Sequence, residues 1–429
     1  MQLLQIADHA LALMRAQGFD AAQVDVSRSE LTELNIAINQ PSLMRSTEQH
    51  RLTLVGLLDG RRASAELSRV EDEHLRHTVA ALHAEACSAP QDEAHAVSRG
   101  EHAVLAQGPL EVEPGVLHRQ LADAVAGLLD FRATQTPTMM IQEGAASYTR
   151  EQQHTLTSEG SDIAARLASY ALVVVGNARE GGRTSSFTSC GGDTHRLDDQ
   201  PPEAHFGIGE VMRELTRQTA PRPLGGKFVG DVVLSPRAVG SLLSWLLAQV
   251  GDAQLIAGSS VLREQVGALV ASPLLTLRSR FDAPGVAAVS TDAFVAHPLD
   301  LLRRGELTTL LPTLYGSRKT GLAHRPVASA GWAMDAGDSA LADMIAAAPR
   351  GALVGRLSMG MPAANGDFSG VIKNSFAIEA GEVGHALSET MITGNIAQML
   401  RDVLDVSRER VDFGAQCMPW LRVGGLRFS

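Results

Sequence analysis

Apolar residues recur at helical spacing at the start of the chain. Leu3, Ile6, Ala10, Leu13 and Met14 fall on one side of a helix over residues 1–17. The period then shortens to two. Residues 23–29 and 32–38 alternate as strands, and 52–67 read as a hairpin about Asp59-Gly60, a dipeptide suited to the two positive φ angles of a tight turn. Residues 68–87 predict a helix with Leu75, Val79, Leu82 and Ala86 inward, ended by Ser88-Ala89-Pro90. Residues 91–108 are polar and predict a loop. A third amphipathic helix over 116–131 puts Leu117, Leu121, Ala124 and Leu128 on one side. Long antiparallel strands are expected over 139–175, around Ser158-Glu159-Gly160. The Gly/Ser/Thr-rich stretch 179–192 predicts a flexible surface or partner-contact loop, and 208–219 a helix.

Pro221-Arg222-Pro223-Leu224-Gly225-Gly226 is the clearest boundary, because proline stiffens the chain and glycine then frees it. It divides the chain into domains at 1–220 and 224–429. Beyond it the pattern predicts a strand at 227–234, helices at 238–250 and 261–270, a strand at 274–281, and a strand pair around Gly305. A helix at 339–348, another at 396–404 and a terminal strand complete the domain. Strands joined by tight turns favour antiparallel sheets over βαβ crossovers. The expected fold class is therefore α+β: an N-terminal antiparallel sheet with helices, then a largely antiparallel, barrel-like C-terminal domain with helices.

Residues 366–395, G-D-F-S-G-V-I-K-N-S-F-A-I-E-A-G-E-V-G-H-A-L-S-E-T-M-I-T-G-N, are the most informative stretch. Physically they read as a strand pair about Ala380-Gly381, with Val371, Phe376 and Ile378 on one arm and 383–392 returning. As a pattern, the S-G-V-I-K-N-S-F block, the E-x-G-E turn and the S-E-T-M-I-x-G-N block resemble the TldD/PmbA (TldE) family, the "modulator of DNA gyrase" proteins understood as peptidase subunits. Gly316-Ser317-Arg318-Lys319-Thr320-Gly321, the Asp59-Gly60-Arg61 turn and the tail pair Gln416-Cys417 extend the resemblance over most of the chain.

The resemblance also says where this chain departs from the family. TldD-type members carry H-E-x-x-x-H on the helix after an L-x-P strand end, binding zinc and supplying a general base. Aligned on Val233-Leu234-x-Pro236, those positions hold Ser244, Trp245 and Gln249. Serine and glutamine are poor zinc ligands and tryptophan cannot act as a base. The resemblance therefore implies a PmbA/TldE-like member with no catalytic residue and no cofactor of its own, and zinc in a TldD-type partner. Active relatives take a further metal ligand from a tail cysteine; Cys417, without metal-binding neighbours, is expected to be an inert small residue. Lys373, Asn374, Ser375, Glu389 and Asn395 are the candidates for lining a substrate or partner chamber. The implied partners are a TldD-type homologue or a second copy of the chain, and small unfolded peptides gripped as an added strand. The alternative is a stand-alone homodimeric binding protein with no peptidase partner.

Composition changes this picture little. The chain has 429 residues, a net charge of −11 and no Lys/Arg-rich stripe, which argues against nucleic-acid binding. Three cysteines form no framework and suit a reducing, cytoplasmic setting. The first helix carries Asp8 and His9 and lacks a basic start, so it does not read as a signal peptide, and no apolar run is long enough to span a membrane. Among fourteen histidines, none lie four or five residues apart. His83 and Cys87 share a helix face, as two metal ligands would, but the segment reads as an ordinary amphipathic helix with His74 and His77 on its polar side. The glycines at 176–192 and 355–366 form no P-loop, since no G-K-[ST] follows a strand.

Overall fold

A computed structural model describes residues 2–429. Helix α1 (Leu3–Gln17) ends where Gly18 takes φ 98°, a left-handed cap open to glycine at little cost. Strands β1 (Ala21–Ala37), β2 (Gln40–Leu58) and β3 (Arg61–Leu67) form a meander. Its second turn is Asp59-Gly60, with φ of 50° and 67°, as its sequence predicts. Helix α2 (Asp72–Ser88) buries Leu75, Val79, Leu82 and Ala86, the four residues its periodicity selects. Then come β4 (His102–Gln107), α3 (Pro114–Gln135), β5 (Met139–Thr157), β6 (Asp162–Glu180), β7 (Arg183–Thr184), β8 (Thr188–Thr194) and α4 (Ile208–Thr216).

The N-terminal strands form one sheet in the order β3-β2-β1-β5-β6-β4, with β7 and β8 also on β6. One face of this sheet carries two separate apolar cores. Helices α1 and α2 cover Val24, Val26, Leu52, Leu54 and Leu156; helices α3 and α4 cover Ile36, Ala146, Tyr148, Tyr170 and Leu172. A charged band lies between them. Arg28 meets Glu48 at 2.9 Å and Glu30 at 2.6 Å, and Arg150 reaches Glu30 from the next strand.

Four expectations need correction here. The strands expected at 23–29 and 32–38 are one strand, β1, paired along its length with β2 and β5. Strand β2 begins twelve residues before the expected hairpin arm, at Gln40 rather than Leu52. The polar loop at 91–108 contains β4, which pairs in parallel with β6. Much of the supposed flexible loop at 179–192 is sheet: β8 pairs with Tyr170–Gly176 of β6, and its backbone donors are spent there.

The second domain runs through β9 (Phe228–Leu234), α5 (Pro236–Val250), α6 (Asp252–Ile256), β10 (Leu277–Ser279), β11 (Asp300–Arg303), β12 (Glu306–Leu307), α7 (Leu314–Thr320), β13 (Trp332–Met334) and α8 (Leu341–Ala346). It continues through β14 (Arg350–Val354), β15 (Arg356–Ser358), β16 (Asp367–Lys373), β17 (Phe376–Glu379), β18 (Glu382–Ala386), β19 (Thr390–Asn395), α9 (Ile396–Arg401), β20 (Val403–Asp412) and β21 (Gln416–Phe428). The sheet order is β12-β11-β10-β13-β21-β9-β14-β17-β18, with β15, β16, β19 and β20 branching from it. Most pairs are antiparallel; β9–β14 and β13–β21 are parallel. Helix α5 lies on this sheet, and Val239, Leu242, Leu243 and Leu246 join its core.

Two further expectations fail in this domain. Residues 261–270 are turns, not a helix. Residues 366–395 are four strands instead of one pair. The inner hairpin β17–β18 turns at Ala380-Gly381 as expected, and the outer strands β16 and β19 pair with each other. Among the described residues no helix is long and apolar enough to cross a membrane.

Candidate functional site

Strand β9 is followed by Ser235, whose hydroxyl caps α5 by accepting from the Ala238 amide at 3.3 Å, and Pro236 supplies the first turn. The helix carries the three positions where the family motif falls. The Ser244 hydroxyl is turned back on its own helix, donating to the Gly240 carbonyl at 2.9 Å. Trp245 and Gln249 are four residues apart, so they share a face, and both are buried. That face grips a loop of the same chain. Trp245 Nε1 donates to the Ala363 carbonyl at 3.3 Å and Gln249 Nε2 to the Ala364 carbonyl at 2.9 Å. Asn395, which caps α9 by accepting from the Gln398 amide, donates through Nδ2 to the Asn365 carbonyl at 2.8 Å. Three consecutive main-chain carbonyls are thus held by three side-chain N–H groups.

The grip is complete on both sides. Gln249 Oε1 accepts from the Val261 amide at 2.9 Å, so both ends of a buried amide are paired, which removes the penalty of about 1–3 kcal/mol for an orphaned one. The loop is shaped to present its carbonyls: Gly366 at φ 95° donates to Ala363 O at 2.8 Å, closing a turn. Trp245 is a common wall of two cavities. One of about 480 Å³ lies toward Ser244, Met359 and Met361. The other, of about 630 Å³, lies toward Val261, Leu269, Asn395 and Arg401.

Cys417 stands on β21 opposite Ala333 and Asp412, buried, and burial first and then the Asp412 charge push its thiol up. Its neighbour Gln416 reaches toward α5, with its amide oxygen close over Gly240. No group of three or more His, Cys, Asp or Glu side chains able to hold a metal occurs among the described residues. The His83–Cys87 pair exists, at 3.8 Å on α2, as two groups without a third.

The five chamber candidates do not form one site. Strands β16 and β19 pair antiparallel, with Asp367 opposite Asn395 and Ile372 opposite Thr390. Lys373, Asn374, Ser375 and the exposed Glu389 therefore lie at one end of the pair. Asn395 lies at the other, roughly 20 Å away at ~3.3 Å per residue. Asn395 belongs to the α5 grip. Asn374, at φ 52°, turns toward the first domain and donates to Thr188 Oγ1 at 2.6 Å. Ser375 is fully buried, donating to the Lys373 carbonyl and accepting from the Leu387 amide. The sequence reading missed the loop Ala363–Asn365. Its only local signal is the Asn365-Gly366 turn dipeptide after Pro362.

A second contact between the domains adjoins Asn374. Arg237, in the first turn of α5, donates to the Ser189 carbonyl of β8 and lies over the Phe413 ring. Against it sits Glu214 of α4, whose carboxyl is raised to about 7 by burial first, then by Glu210, against the pull of Arg217 and Arg237. A carboxyl with a higher pKa folded than unfolded favours folding while protonated. That advantage is full below its ordinary value of 4.5 and is lost as pH rises through about 7. Stability should fall by on the order of 3 kcal/mol across that window from this group alone. Urea unfolding at a series of pH values should show the slope, and Glu214→Gln should flatten it and be the more stable chain at pH ~8. An unchanged slope would remove Glu214 as its source.

Residues 226–429 match the family described as the PmbA/TldA metallopeptidase C-terminal domain. With the fold already described, this defines a peptidase-family protein of PmbA/TldE type. Residues 226–429, just under half of the chain, belong to the TldD/PmbA family. It is 25% identical over 247 residues to the metalloprotease PmbA of Escherichia coli O157:H7, a match taking in 53% of this chain and 52% of the relative. The chain thus spans about half the length of the curated relative it matches. TldE from Thermococcus kodakarensis has the same fold, with a TM-score of 0.82 at 19% identity, over 99% of this chain and 100% of that one. A candidate modulator of DNA gyrase from Bacteroides thetaiotaomicron VPI-5482 gives 0.83 at 20%, over 99% and 98%. Another, from Thermotoga maritima MSB8, gives 0.78 at 16%, over the full length of both chains.

Proposed function

We propose that this chain is the non-catalytic, TldE-like subunit of a two-chain zinc peptidase acting on small unfolded peptides. A single observation carries the reading: the α5 face where zinc-bearing relatives place H-E-x-x-x-H is taken up by Ser244, Trp245 and Gln249, which bond their own helix and their own loop. Neither a hydroxyl committed to Gly240 nor an amide bonded at both ends is a donor set for zinc, so no hydrolytic step is assigned to this chain. Its contribution would be to pair with a zinc-bearing homologue and to enclose the peptide.

The test is co-purification with an H-E-x-x-x-H homologue from the same source, followed by elemental analysis and peptide cleavage with each chain alone and together. This chain should hold well under one zinc per chain and cleave nothing alone, and the mixture should cleave in a chelator-sensitive way. Stoichiometric zinc that survives dialysis and disappears in Cys417→Ala would overturn the reading. So would cleavage by this chain alone at the rate of the mixture. A stable homodimer that ignores the homologue would favour the stand-alone binding protein instead.

A further inference from the structure

The motif Gly316-Ser317-Arg318-Lys319-Thr320-Gly321 has no part in the α5 grip. It forms most of α7 (Leu314–Thr320) and its cap, and the helix is fastened to its own domain at its N-terminal end and closed by its own cap at the other. Asp252 accepts from the amide and hydroxyl of Thr313, and Asp292 accepts from the Leu314 amide at 2.7 Å and from His324 Nε2 at 3.1 Å. Gly316 is required because a Cβ there would overlap the Asp252 carboxylate. Gly321, at φ 74°, closes the far end by donating to Ser317 O, and the Ser317 hydroxyl donates to Leu322 O.

The outward side of this pinned helix meets the other domain. Tyr315 and Lys319 are four residues apart and so reach one point together. The Tyr315 hydroxyl donates to Asp92 Oδ2 at 2.8 Å and Lys319 Nζ to the same oxygen at 3.0 Å. The His95 ring stacks on Tyr315 at 5.0 Å. Asp92 is itself anchored: Oδ1 accepts from the Ala94 amide, and its own amide donates to Gly60 O at 2.7 Å, the turn between β2 and β3. These bonds, the Ala94 amide first and then Lys319 and Tyr315, hold its carboxyl down at about 2. Beside the contact is a cavity of about 510 Å³ between the domains, lined by Asp20, Gly60, His95, Phe294, Leu314 and Arg318. The neighbouring links across it are also polar: Gln107 to the Ala283 carbonyl, and the Val295 amide to Glu101.

We propose that the Gly316–Gly321 helix is an electrostatic clasp that closes the two domains over this cleft by capturing Asp92, and lets them part when the ion pair is weakened. The half-exposed pair, with Lys319 at 37% and Asp92 at 23% exposure, is open to screening by salt, which a buried apolar contact would not be. Two sequence features far apart, the Asp59-Gly60 turn and the S-R-K helix, are joined through this one carboxylate.

Hydrogen exchange and small-angle scattering on the full chain test it. In the unaltered protein, raising salt from about 50 mM to about 500 mM should speed exchange at residues 91–97 and enlarge the radius of gyration. Lys319→Met and Asp92→Asn should do the same at low salt, with exchange at least tenfold faster. Tyr315→Phe is the milder variant should either fold poorly. Lys319→Arg, which keeps the charge, should stay closed at low salt and open with salt as the parent does. Salt-independent exchange and dimensions, Lys319→Met and Asp92→Asn chains that behave as the parent, or a Lys319→Arg chain as open as Lys319→Met would each overturn the clasp.

Discussion

Replacing Trp245 by alanine should destabilise the C-terminal domain by about 3–5 kcal/mol, the range for truncating a buried tryptophan. The side chain is 5% exposed and packs in the core beneath α5. Its removal would join the two cavities it separates, and the neighbouring Gln249 and Asn395 are fixed by their own bonds and cannot collapse into the gap. The loop Ala363–Asn365 would also lose the first of its three holds. Trp245→Phe keeps most of the apolar bulk and removes only the N–H, so it should cost about 1 kcal/mol from the bond plus a modest packing loss. Urea unfolding gives both values, and hydrogen exchange at residues 363–367 reports the loop directly. A cost below about 1 kcal/mol for the alanine variant would show that the wall carries no weight.

Gly351→Ala is expected to be comparably severe. Gly351 lies on β14 between β9 and β17, opposite Asp231 on one side and Ile378 on the other. A Cβ built there overlaps the main-chain carbonyl of Asp231, and a strand backbone has no rotamer to turn aside. The parallel β9–β14 pair leads directly into α5, so the strands must separate where the helix is seated. A cost of at least about 3 kcal/mol is expected, the upper end of overpacking. Gly225→Ala, with open space around it, is the control and should fall within about 0.5 kcal/mol of the parent. Equal midpoints in urea for the two variants would refute the close-approach argument.

Helices with a clear apolar stripe were legible in the sequence. The buried set of α2 is the one its spacing selects, and the Asp59-Gly60 turn falls where predicted because aspartate and glycine tolerate positive φ; the Ala380-Gly381 turn also falls where predicted, with Ala380 held at φ 51°, which alanine disfavours. What escaped is what distant partners decide. Ser29-Glu30-Leu31 looks like a break, yet β1 continues because β2 and β5 pair with it on both sides. Val261, Val266, Leu269 and Val270 have helical spacing, but Val266 and Leu269 face solvent, and the segment is tied down by Gln249 and Leu307. Asn374 bends the arm between β16 and β17 to reach Thr188, nearly two hundred residues earlier. The positions of Ser244, Trp245 and Gln249 came from resemblance. Their hold on Ala363 and Ala364 could not be read locally, since more than a hundred residues intervene.

The charged band across the N-terminal sheet bears on how the molecule transmits force. Strands β1 and β5 run beneath both cores, and the stretch between the cores carries the ladder and the Arg28, Arg150, Glu30 and Glu48 pairs. A ribbon braced by helices at its two ends and bare of apolar packing in the middle is a torsion bar, softest in twist. The Asp92 contact pulls on the half braced by α1 and α2, while β8, with Thr188 and Ser189 against the second domain, belongs to the half braced by α3 and α4. A load at one attachment would therefore reach the other as a change of strand twist, through hydrogen-bonded backbone and not through contacting side chains.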